Sequence, residues 1–345
     1  MTIIHKLNNK KQNKSWSDVE GSGVIELISQ YQLAKVLTSL YKTGLIKKLK
    51  DIECIDINTF NGFNNYLLTH LFNYLKIHNI LYDTEKGYCV TIKGKAIFSD
   101  ESIAQLCFYS EAYDNITSNI NNFLNDNLLY GRDIIRDGKS LGIHCDTLFK
   151  EYHTESMVEA LKHLECKKIL DVGCGGGQFL IDLCAKNPKL TGIGLDISEP
   201  AISHANKAAE KQNLSARLNY VVADAFDLST WPQECFGADV LCGSGVVHEH
   251  FRDGEKSVID ILNTYASLLT NNDFKAIILG EPEIRYDLLK SDADLYLVHI
   301  FTAQGFPRHC DEWLELFEKT NLQCNDVYTR PSAGPRFNFF VLTLK

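Results

Sequence analysis

The sequence lacks the features that mark several protein classes. It contains no long apolar run that could cross a bilayer, and its N-terminal segment has lysines but not the apolar stretch of a secretory signal peptide. Eleven cysteines are scattered through 345 residues, and no Cys-x-x-Cys pair occurs. We therefore expect a cytoplasmic protein with reduced thiols, without a membrane span or a disulfide framework.

Positive charge is also scarce. The formal net charge is -9, and residues 1 to 115 contain 13 lysines, 12 acids and no arginine. Non-specific nucleic-acid binding requires clustered cations, because most of its affinity comes from contacts with phosphates. We therefore expect no nucleic-acid partner and take a small molecule as the default ligand.

The length of the chain and its apolar pattern predict two domains. Residues 1–20 are expected to form a flexible tail. In residues 21–115, apolar positions at helical spacing precede LYDTEKGYCVTIKGKAIF, which is typical of two short strands around a Glu-Lys-Gly turn. Helices followed by a hairpin predict a winged-helix module, which the family resemblance given below implies is a dimerisation domain, and residues 116–165 are predicted to be a helical connector.

From residue 166 to residue 345 the pattern changes to short apolar strands that alternate with helices. Such a pattern predicts an α/β domain with a mostly parallel, doubly wound sheet that is buried on both faces. The final segment, NDVYTRPSAGPRFNFFVLTL, is expected to add two antiparallel strands at the sheet edge.

The most specific local pattern is ILDVGCGGGQF, in which a strand leads into a glycine-rich turn and a helix. Glycines allow the backbone to turn tightly beneath a ligand without collisions of Cβ atoms. Acidic residues follow three successive predicted strands, and two apolar residues adjoin the last of them. The candidate cofactor residues are Asp171, Gly173, Gly175, Gly177, Asp196, Asp224, Ala225 and Phe226.

These residues resemble the motifs of class I S-adenosylmethionine (SAM) methyltransferases. With Asp171 the motif is D-x-G-x-G-x-G, whereas a dinucleotide site would have G-x-G-x-x-G. Asp196 lies 25 residues after Asp171, where a carboxylate can accept from both ribose hydroxyls. The resemblance places Asp224 at the adenine amino group, with Ala225 and Phe226 beside the ring. The alternative interpretation is that the acids only cap helices.

A second cluster, His248, Glu249 and His250, follows the fourth predicted strand in ADVLCGSGVVHEHFRDG. One histidine here would suit a metal-free O-methyltransferase that uses it as a general base. Two imidazoles and a carboxylate would also suit a divalent first-row metal, and His299 on a later predicted helix offers the second imidazole. The other interpretation of His299 is a satisfied core histidine.

A winged-helix module, a SAM domain, His-Glu after the fourth strand and another histidine about fifty residues later resemble the metal-dependent α-keto acid C-methyltransferases of nonribosomal-peptide pathways. The resemblance implies a homodimer that methylates C3 of a 2-oxo acid, with His248, Glu249 and His299 on one iron or zinc ion. Chelation of the substrate by the ion would stabilise an enolate. The resemblance also implies that an arginine binds the substrate carboxylate, for which Arg132 is our candidate. The base that removes the C3 proton could be His250, metal-bound hydroxide or a carboxylate that is not bound to the ion.

The overall likeness is nearest to family members that act on 5-guanidino-2-oxopentanoate. A guanidinium tail requires acids, and the region around the fifth strand offers Glu281, Glu283, Asp287, Asp292 and Asp294. If phenylpyruvate were the substrate, Tyr113, Phe301 and Phe306 would line the pocket instead. Three alternatives stay open: another 2-oxo acid such as phenylpyruvate or a branched-chain one, a metal-free O- or N-methyltransferase, and a SAM-binding regulator of DNA.

Overall fold

The structure is a computed structural model that describes residues 3–52, 54–270, 274–284, 293–302, 304–330 and 336–345. It divides into two compact units, Met1–Leu106 and Cys107–Lys345. The predicted boundary at residue 115 falls inside the second unit. None of the helices in the described part of the chain is both long enough and apolar enough to cross a bilayer.

The first unit consists of helices and a small sheet. Its helices are α1 (Lys10–Gly21), α2 (Val24–Lys42), α3 (Leu45–Asp51), α4 (Asn65–Ile77), α5 (Ile92–Ile97) and α6 (Asp100–Cys107), the last of which ends one residue into the second unit. Its strands are β1 (Cys54–Ile55), β2 (Leu81–Thr84) and β3 (Gly87–Val90), in the order β1-β3-β2. The predicted hairpin is therefore present in β2 and β3, which pair antiparallel around Glu85 and Lys86.

The segment predicted as a flexible tail contains α1, which begins where the Asn9 side chain accepts from the amides of Lys11 and Gln12. No residue of α1 is buried, so this helix depends on its cap and its local hydrogen bonds. The sequence pattern missed it because α1 has no apolar stripe.

The second unit is an α/β layer structure. Its helices are α7 (Asp114–Thr117), α8 (Ile120–Leu124), α9 (Gly138–Tyr152), α10 (Thr154–Leu161), α11 (Gln178–Lys186), α12 (Glu199–Lys211), α13 (Glu255–Thr270), α14 (Ala293–Phe301) and α15 (Cys310–Glu318). Its strands are β4 (Lys168–Val172), β5 (Thr191–Asp196), β6 (Leu218–Val222), β7 (Val240–Ser244), β8 (Ala276–Pro282), β9 (Leu322–Thr329) and β10 (Phe337–Leu344).

The seven strands form one sheet in the order β6-β5-β4-β7-β8-β10-β9. Strands β4 to β8 pair in parallel, and β10 pairs antiparallel with both β8 and β9. All seven residues of β8 are buried, as expected for a strand that is covered on both faces. This sheet confirms the predicted class I SAM methyltransferase fold and its two antiparallel C-terminal strands.

Two apolar clusters cover the two faces of the sheet. One contains Leu170, Leu241 and Trp313, and the other contains Ile169, Val240 and Phe339. Neighbouring residues of one strand belong to different clusters because successive side chains point to opposite faces. With both faces packed, the polar side chains at the carboxyl ends of the parallel strands converge along one edge, where ligands bind in open α/β sheets.

Candidate active site

The loop after β4 is held in the shape that the glycine spacing predicted. Gly173, Gly175 and Gly177 all adopt positive φ, which costs glycine little but strains other residues. A Cβ on Gly177 would lie 2.5 Å from the ring of Tyr220, whose hydroxyl donates to the Gly177 carbonyl over 2.7 Å. The loop therefore packs directly on β6 and has no room for a side chain at this position.

The acids at the ends of β4 and β5 lie on either side of this loop. Asp196 accepts from the amide of Gly175 over 3.0 Å and from that of Ser198 over 2.8 Å. Asp171 is 6% exposed, and burial together with the nearby Asp146 and Asp196 raises its pKa well above the usual range. The predicted cofactor acids are thus at one edge of the sheet, beside the glycine loop.

Asp224, Ala225 and Phe226, which are predicted to lie at the adenine, follow β6, the neighbour of β5 in the sheet. The Asp224 carboxylate accepts from the amide of Phe226 over 2.9 Å, and the Ala225 carbonyl accepts from Tyr265 over 2.9 Å. The ring of His250 packs edge-on against Phe226 with centroids 4.1 Å apart. Burial lowers the pKa of His250, so its imidazole is neutral at neutral pH.

The segment after β7 is a 3₁₀ turn, Val247–Asp253, that is tied to β8 through one buried carboxylate. Glu281 is fully buried, and its oxygens accept from the Val247 amide over 3.0 Å and from Nδ1 of His248 over 2.8 Å. Since an ionised carboxylate can only accept, Nδ1 of His248 carries a proton, and in the neutral imidazole Nε2 then carries the lone pair.

Helix α14 brings His299 to the same place. Its Nδ1 lies 2.7 Å from the Leu295 carbonyl, which fixes the proton on Nδ1, and its Nε2 lies 3.4 Å from Nε2 of His248. Burial, followed by the neighbouring His248, lowers the pKa of His299 to about 4. The Nε2 atoms of the two imidazoles therefore face one another within a buried space.

Glu249 lies beside this pair but its carboxylate contacts other side chains. Oε1 accepts from Arg136 over 3.0 Å and also from Gln304. Among the described residues, His248, Glu249 and His299 do not form a group whose donor atoms all lie within 4.8 Å. The structure brings the two predicted histidines together and leaves the predicted glutamate paired with a cation.

The two arginines of YGRDIIRDG occupy different environments. Arg132 is 65% exposed in its side chain and pairs with its neighbour Asp133 over 2.7 Å. Arg136 is largely buried and donates to the Tyr113 hydroxyl over 3.4 Å as well as to Glu249. The structure therefore places Arg136, and not the predicted Arg132, next to the histidine cluster.

Two of the five acids considered for a guanidinium tail are engaged elsewhere. Glu281 holds His248, and Glu283 accepts from Asn338 over 2.9 Å and contacts His309 at 3.2 Å. Asp294 is exposed near the start of α14, and Asp287 and Asp292 lie outside the described residues. Of the candidate aromatic residues, Tyr113 is buried beside Arg136, Phe301 packs on Phe123, and Phe306 is 40% exposed.

One further compact group of ligand-type side chains occurs in the part of the chain that the structure describes. Cys107, Glu111 and His144 have donor atoms within 4.8 Å of one another. Nε2 of His144 lies 2.7 Å from the Glu111 carboxylate, which is a hydrogen-bond distance. The His144–Glu111 pair is therefore a buried hydrogen bond between α9 and the π-helical turn Phe108–Ala112.

Sequence reasoning missed Arg136, Gln304 and the role of Glu281. The last of these had a usable signal, because Glu281 directly precedes the proline that ends the otherwise apolar strand AIILGEP and so lies at the ligand-binding edge. Gly305 explains how Gln304 reaches the site: a Cβ there would lie 2.2 Å from the His248 carbonyl. The two segments approach too closely for any other residue.

Comparisons with known proteins agree with the fold. A family model described as "Methyltransferase domain" matches residues 169–264. The chain is 22% identical over 221 residues to methyltransferase ungE' of Aspergillus campestris, which covers 62% of this chain and 64% of that protein. It is 23% identical over 330 residues to 2-ketoarginine methyltransferase of Streptomyces arginensis, with 90% of each chain covered.

Among solved structures, the mitomycin 7-O-methyltransferase MmcR superposes with a TM-score of 0.69 at 16% identity, covering 96% of this chain and 100% of that one. This likeness shows the fold. The chain spans less than two thirds of the length of the Aspergillus relative. The matching model and the relatives together show that this chain contains a SAM-dependent methyltransferase domain.

Proposed function

We propose that the chain transfers the methyl group of SAM to C3 of a 2-oxo acid, and that it holds one iron or zinc ion at His248 and His299. Glu249 would be the third ligand once its carboxylate turns from Arg136 towards the ion, which would also free Arg136. The observation that carries the proposal is the 3.4 Å separation of the two Nε2 atoms. The product would be a 3-methyl 2-oxo acid, the precursor of a β-methyl amino acid.

The donor chemistry fits a metal ion. Both Nδ1 atoms donate to acceptors, so neutral imidazoles direct two lone pairs at each other, an arrangement that is unfavourable unless a metal ion or a proton lies between them. Zn–N bonds of 2.0–2.1 Å at a tetrahedral angle separate two ligand nitrogens by about 3.4 Å. A carboxylate behind a ligating imidazole, as Glu281 is behind His248, fixes its tautomer and raises its basicity.

The residues of the chain have separate tasks in the proposed reaction. When bound, the ion supplies Lewis acidity towards the oxygen on which charge develops. Arg136 would bind the substrate carboxylate, because a guanidinium forms two parallel hydrogen bonds to it. Burial raises the pKa of the neighbouring Tyr113 to about 12, so its hydroxyl keeps its proton and donates. His250, neutral and beside Phe226, is the candidate base for the C3 proton.

Among 2-oxo acids we favour 5-guanidino-2-oxopentanoate. The support is the Streptomyces relative, which is named for 2-ketoarginine and matches over 90% of both chains. Phenylpyruvate and branched-chain 2-oxo acids are the alternatives. We further propose a cytoplasmic homodimer without a nucleic-acid partner. Helix α2 supports the dimer, since Leu27, Ile28 and Tyr31 are each more than half exposed.

The test is to incubate the protein and SAM with a panel of 2-oxo acids, with and without a chelator, and to locate the new methyl group by mass spectrometry and NMR. We expect methylation at C3, loss of turnover with the chelator, and recovery on addition of metal. Arg136→Lys should raise KM for the oxo acid at least tenfold, and the matched Arg132→Lys less than twofold. C3 methylation that persists at full rate under chelation would refute the metal site.

A second candidate function is metal-free O-methylation. The specific observation that favours it is the pairing of His248 with Glu281 at 2.8 Å, since a base oriented by a carboxylate is the arrangement of a general base. In the same assay this function would give methylation at oxygen and would be insensitive to the chelator.

A further inference from the structure

A compact group of ligand-type side chains lies where the π-helical turn Phe108–Ala112 packs on α9. Cys107 ends α6 directly before the turn, Glu111 lies within the turn, and His144 lies on α9. One ligand atom of each residue lies within 4.8 Å of those of the other two. Within the part of the chain that the structure describes, no other three such side chains meet this spacing.

The local structure explains why these side chains meet. Cys107 and Glu111 are four residues apart, so they share one face of the helical turn. The buried residues of α9 are Ser140, His144 and Leu148, which recur every four residues and form one stripe. A π-helical turn is rare and is frequently found at functional sites.

The group is largely withdrawn from water. Cys107 is fully buried and the His144 side chain is 2% exposed, whereas the Glu111 side chain is 17% exposed. Packing holds the thiol and the imidazole in place, so little side-chain entropy is left to lose when a ligand binds. The partly exposed Glu111 offers an ion from solvent a first contact.

The three ligand types select the kind of ion. Sulfur, imidazole nitrogen and carboxylate oxygen are the ligands that zinc takes in proteins. Calcium and magnesium prefer oxygen ligands, so the thiol and the imidazole disfavour them. A zinc ion bound to one thiolate, one carboxylate and one neutral imidazole forms a site of zero net charge, which avoids an uncompensated charge in a buried place.

Glu111 and His144 are at present spaced for a hydrogen bond. Nε2 of His144 lies 2.7 Å from a Glu111 oxygen. Zinc bonds of about 2.0–2.2 Å at a tetrahedral angle would separate these two atoms by about 3.4 Å, so a shift of less than about 1 Å lets the ion replace the shared proton. Because the ion must also displace the proton of the Cys107 thiol, it binds more weakly than at a site with four preformed ligands. We therefore expect protein purified without added zinc to carry none here.

We propose that Cys107, Glu111 and His144 form a reversible binding site for a thiophilic divalent metal ion, zinc, with water in the fourth position. The bound ion fastens the π-helical turn to α9. Its binding displaces the thiol proton and the proton between Glu111 and His144 into solvent. This inference depends neither on the proposed methyl transfer nor on the metal ion at His248 and His299.

The test is a titration of the reduced wild-type protein with cobalt(II), followed by ultraviolet absorption. A thiolate bound to cobalt(II) gives a strong sulfur-to-cobalt charge-transfer band, which imidazole and carboxylate ligands do not give. We expect this band to saturate at one thiolate-bound ion per chain and to vanish on addition of zinc, which binds such ligands more tightly. Cys107→Ser should abolish the band, whereas His248→Ala should retain it. Wild-type protein without the band, or Cys107→Ser with it, would overturn the inference.

A second variant keeps the inference testable if Cys107→Ser folds poorly. Glu111→Gln keeps an oxygen that can accept from His144 but removes the carboxylate ligand. Replacement of even an outer partner of a metal ligand costs about 10- to 100-fold in affinity, so Glu111→Gln should bind cobalt at least tenfold more weakly. The matched control is Cys145→Ser, because Cys145 follows His144 and lies outside the group. Wild-type affinity in Glu111→Gln, or loss of the band in Cys145→Ser, would contradict the assignment.

Thermal unfolding gives a readout that needs no spectroscopic ion. Zinc that binds only the folded protein should raise the Tm of the wild type and leave the Tm of Cys107→Ser unchanged. An equal rise in both proteins would place the zinc elsewhere and refute the site.

Discussion

Replacement of Glu281 by glutamine tests the link between the buried carboxylate and the histidine pair. The carboxylate accepts from the Val247 amide, the His248 amide and Nδ1 of His248, over 3.0, 3.4 and 2.8 Å. A glutamine offers one acceptor oxygen and one amino group. If the glutamine oxygen still accepts from the Val247 amide, the glutamine amino group faces Nδ1 of His248. Nδ1 must then lose its proton and accept from that amino group.

The proton that leaves Nδ1 of His248 moves to Nε2, which then donates to Nε2 of His299 across the 3.4 Å gap. The two histidines then form a hydrogen bond with each other, and one of the two lone pairs that could bind a metal ion is lost. Replacement of such a carboxylate behind a ligand typically costs 10- to 100-fold in metal affinity, which corresponds to about 1.4 to 2.8 kcal/mol. The unsatisfied His248 amide should lower the free energy of unfolding by about 1 to 3 kcal/mol.

The assay is competitive metal titration together with urea unfolding. Glu283→Gln serves as the control, because Glu283 lies just beyond β8 but contacts Asn338 and His309 and not the metal-binding histidines. We expect Glu283→Gln to bind metal within twofold of wild type. A folded Glu281→Gln variant with wild-type metal affinity would refute the tautomer argument.

Three further predictions concern the cofactor site and pH. Asp196→Ala should weaken SAM at least tenfold in calorimetry, because it removes the acceptor of the ribose hydroxyls and of the Gly175 amide; an unchanged affinity would contradict the cofactor assignment. Gly177→Ala should lower Tm and cofactor affinity through collision with Tyr220, whereas Gly138→Ala, with open space around it, should change neither. Burial, followed by the charge of Arg330, lowers the pKa of His153 to about 4, so the unfolded chain binds a proton below pH 6.5 that the folded chain does not. The stability of wild type relative to His153→Phe should therefore fall by about 1.2 kcal/mol between pH 6 and pH 5. Urea titrations in which the difference is constant would contradict this. The difference between the two proteins isolates His153, because the raised pKa of Asp146 acts with the opposite sign in both of them.

Much of the fold follows from local patterns in the sequence. The strands alternate with helices and end in polar residues, so Asp171, Asp196 and His248 could be assigned to one edge of the sheet before any coordinates. The hairpin of β2 and β3 was equally accessible, because a Glu-Lys-Gly turn separates two short strands. Both predictions use residues that are close together in the sequence, together with the right-handed crossovers that connect parallel strands.

The details of the site depend on contacts between distant segments. Arg132 and Arg136 are four residues apart, and only the packing of Arg136 against Tyr113 and Glu249 distinguishes them. Asp146 is likewise an ordinary helix residue until α9 meets the loop at Gly176. Spacing along the chain carries no information on such contacts, which is why the sequence indicated the type of chemistry better than the residues that surround it.

The central claim is that His248 and His299 hold one metal ion, and elemental analysis of purified protein tests it most directly. We expect about one iron or zinc per chain in wild type and none in His248→Ala or His299→Ala. Both variants should bind S-adenosylhomocysteine with an affinity within twofold of wild type. Full metal content in either histidine variant would contradict it.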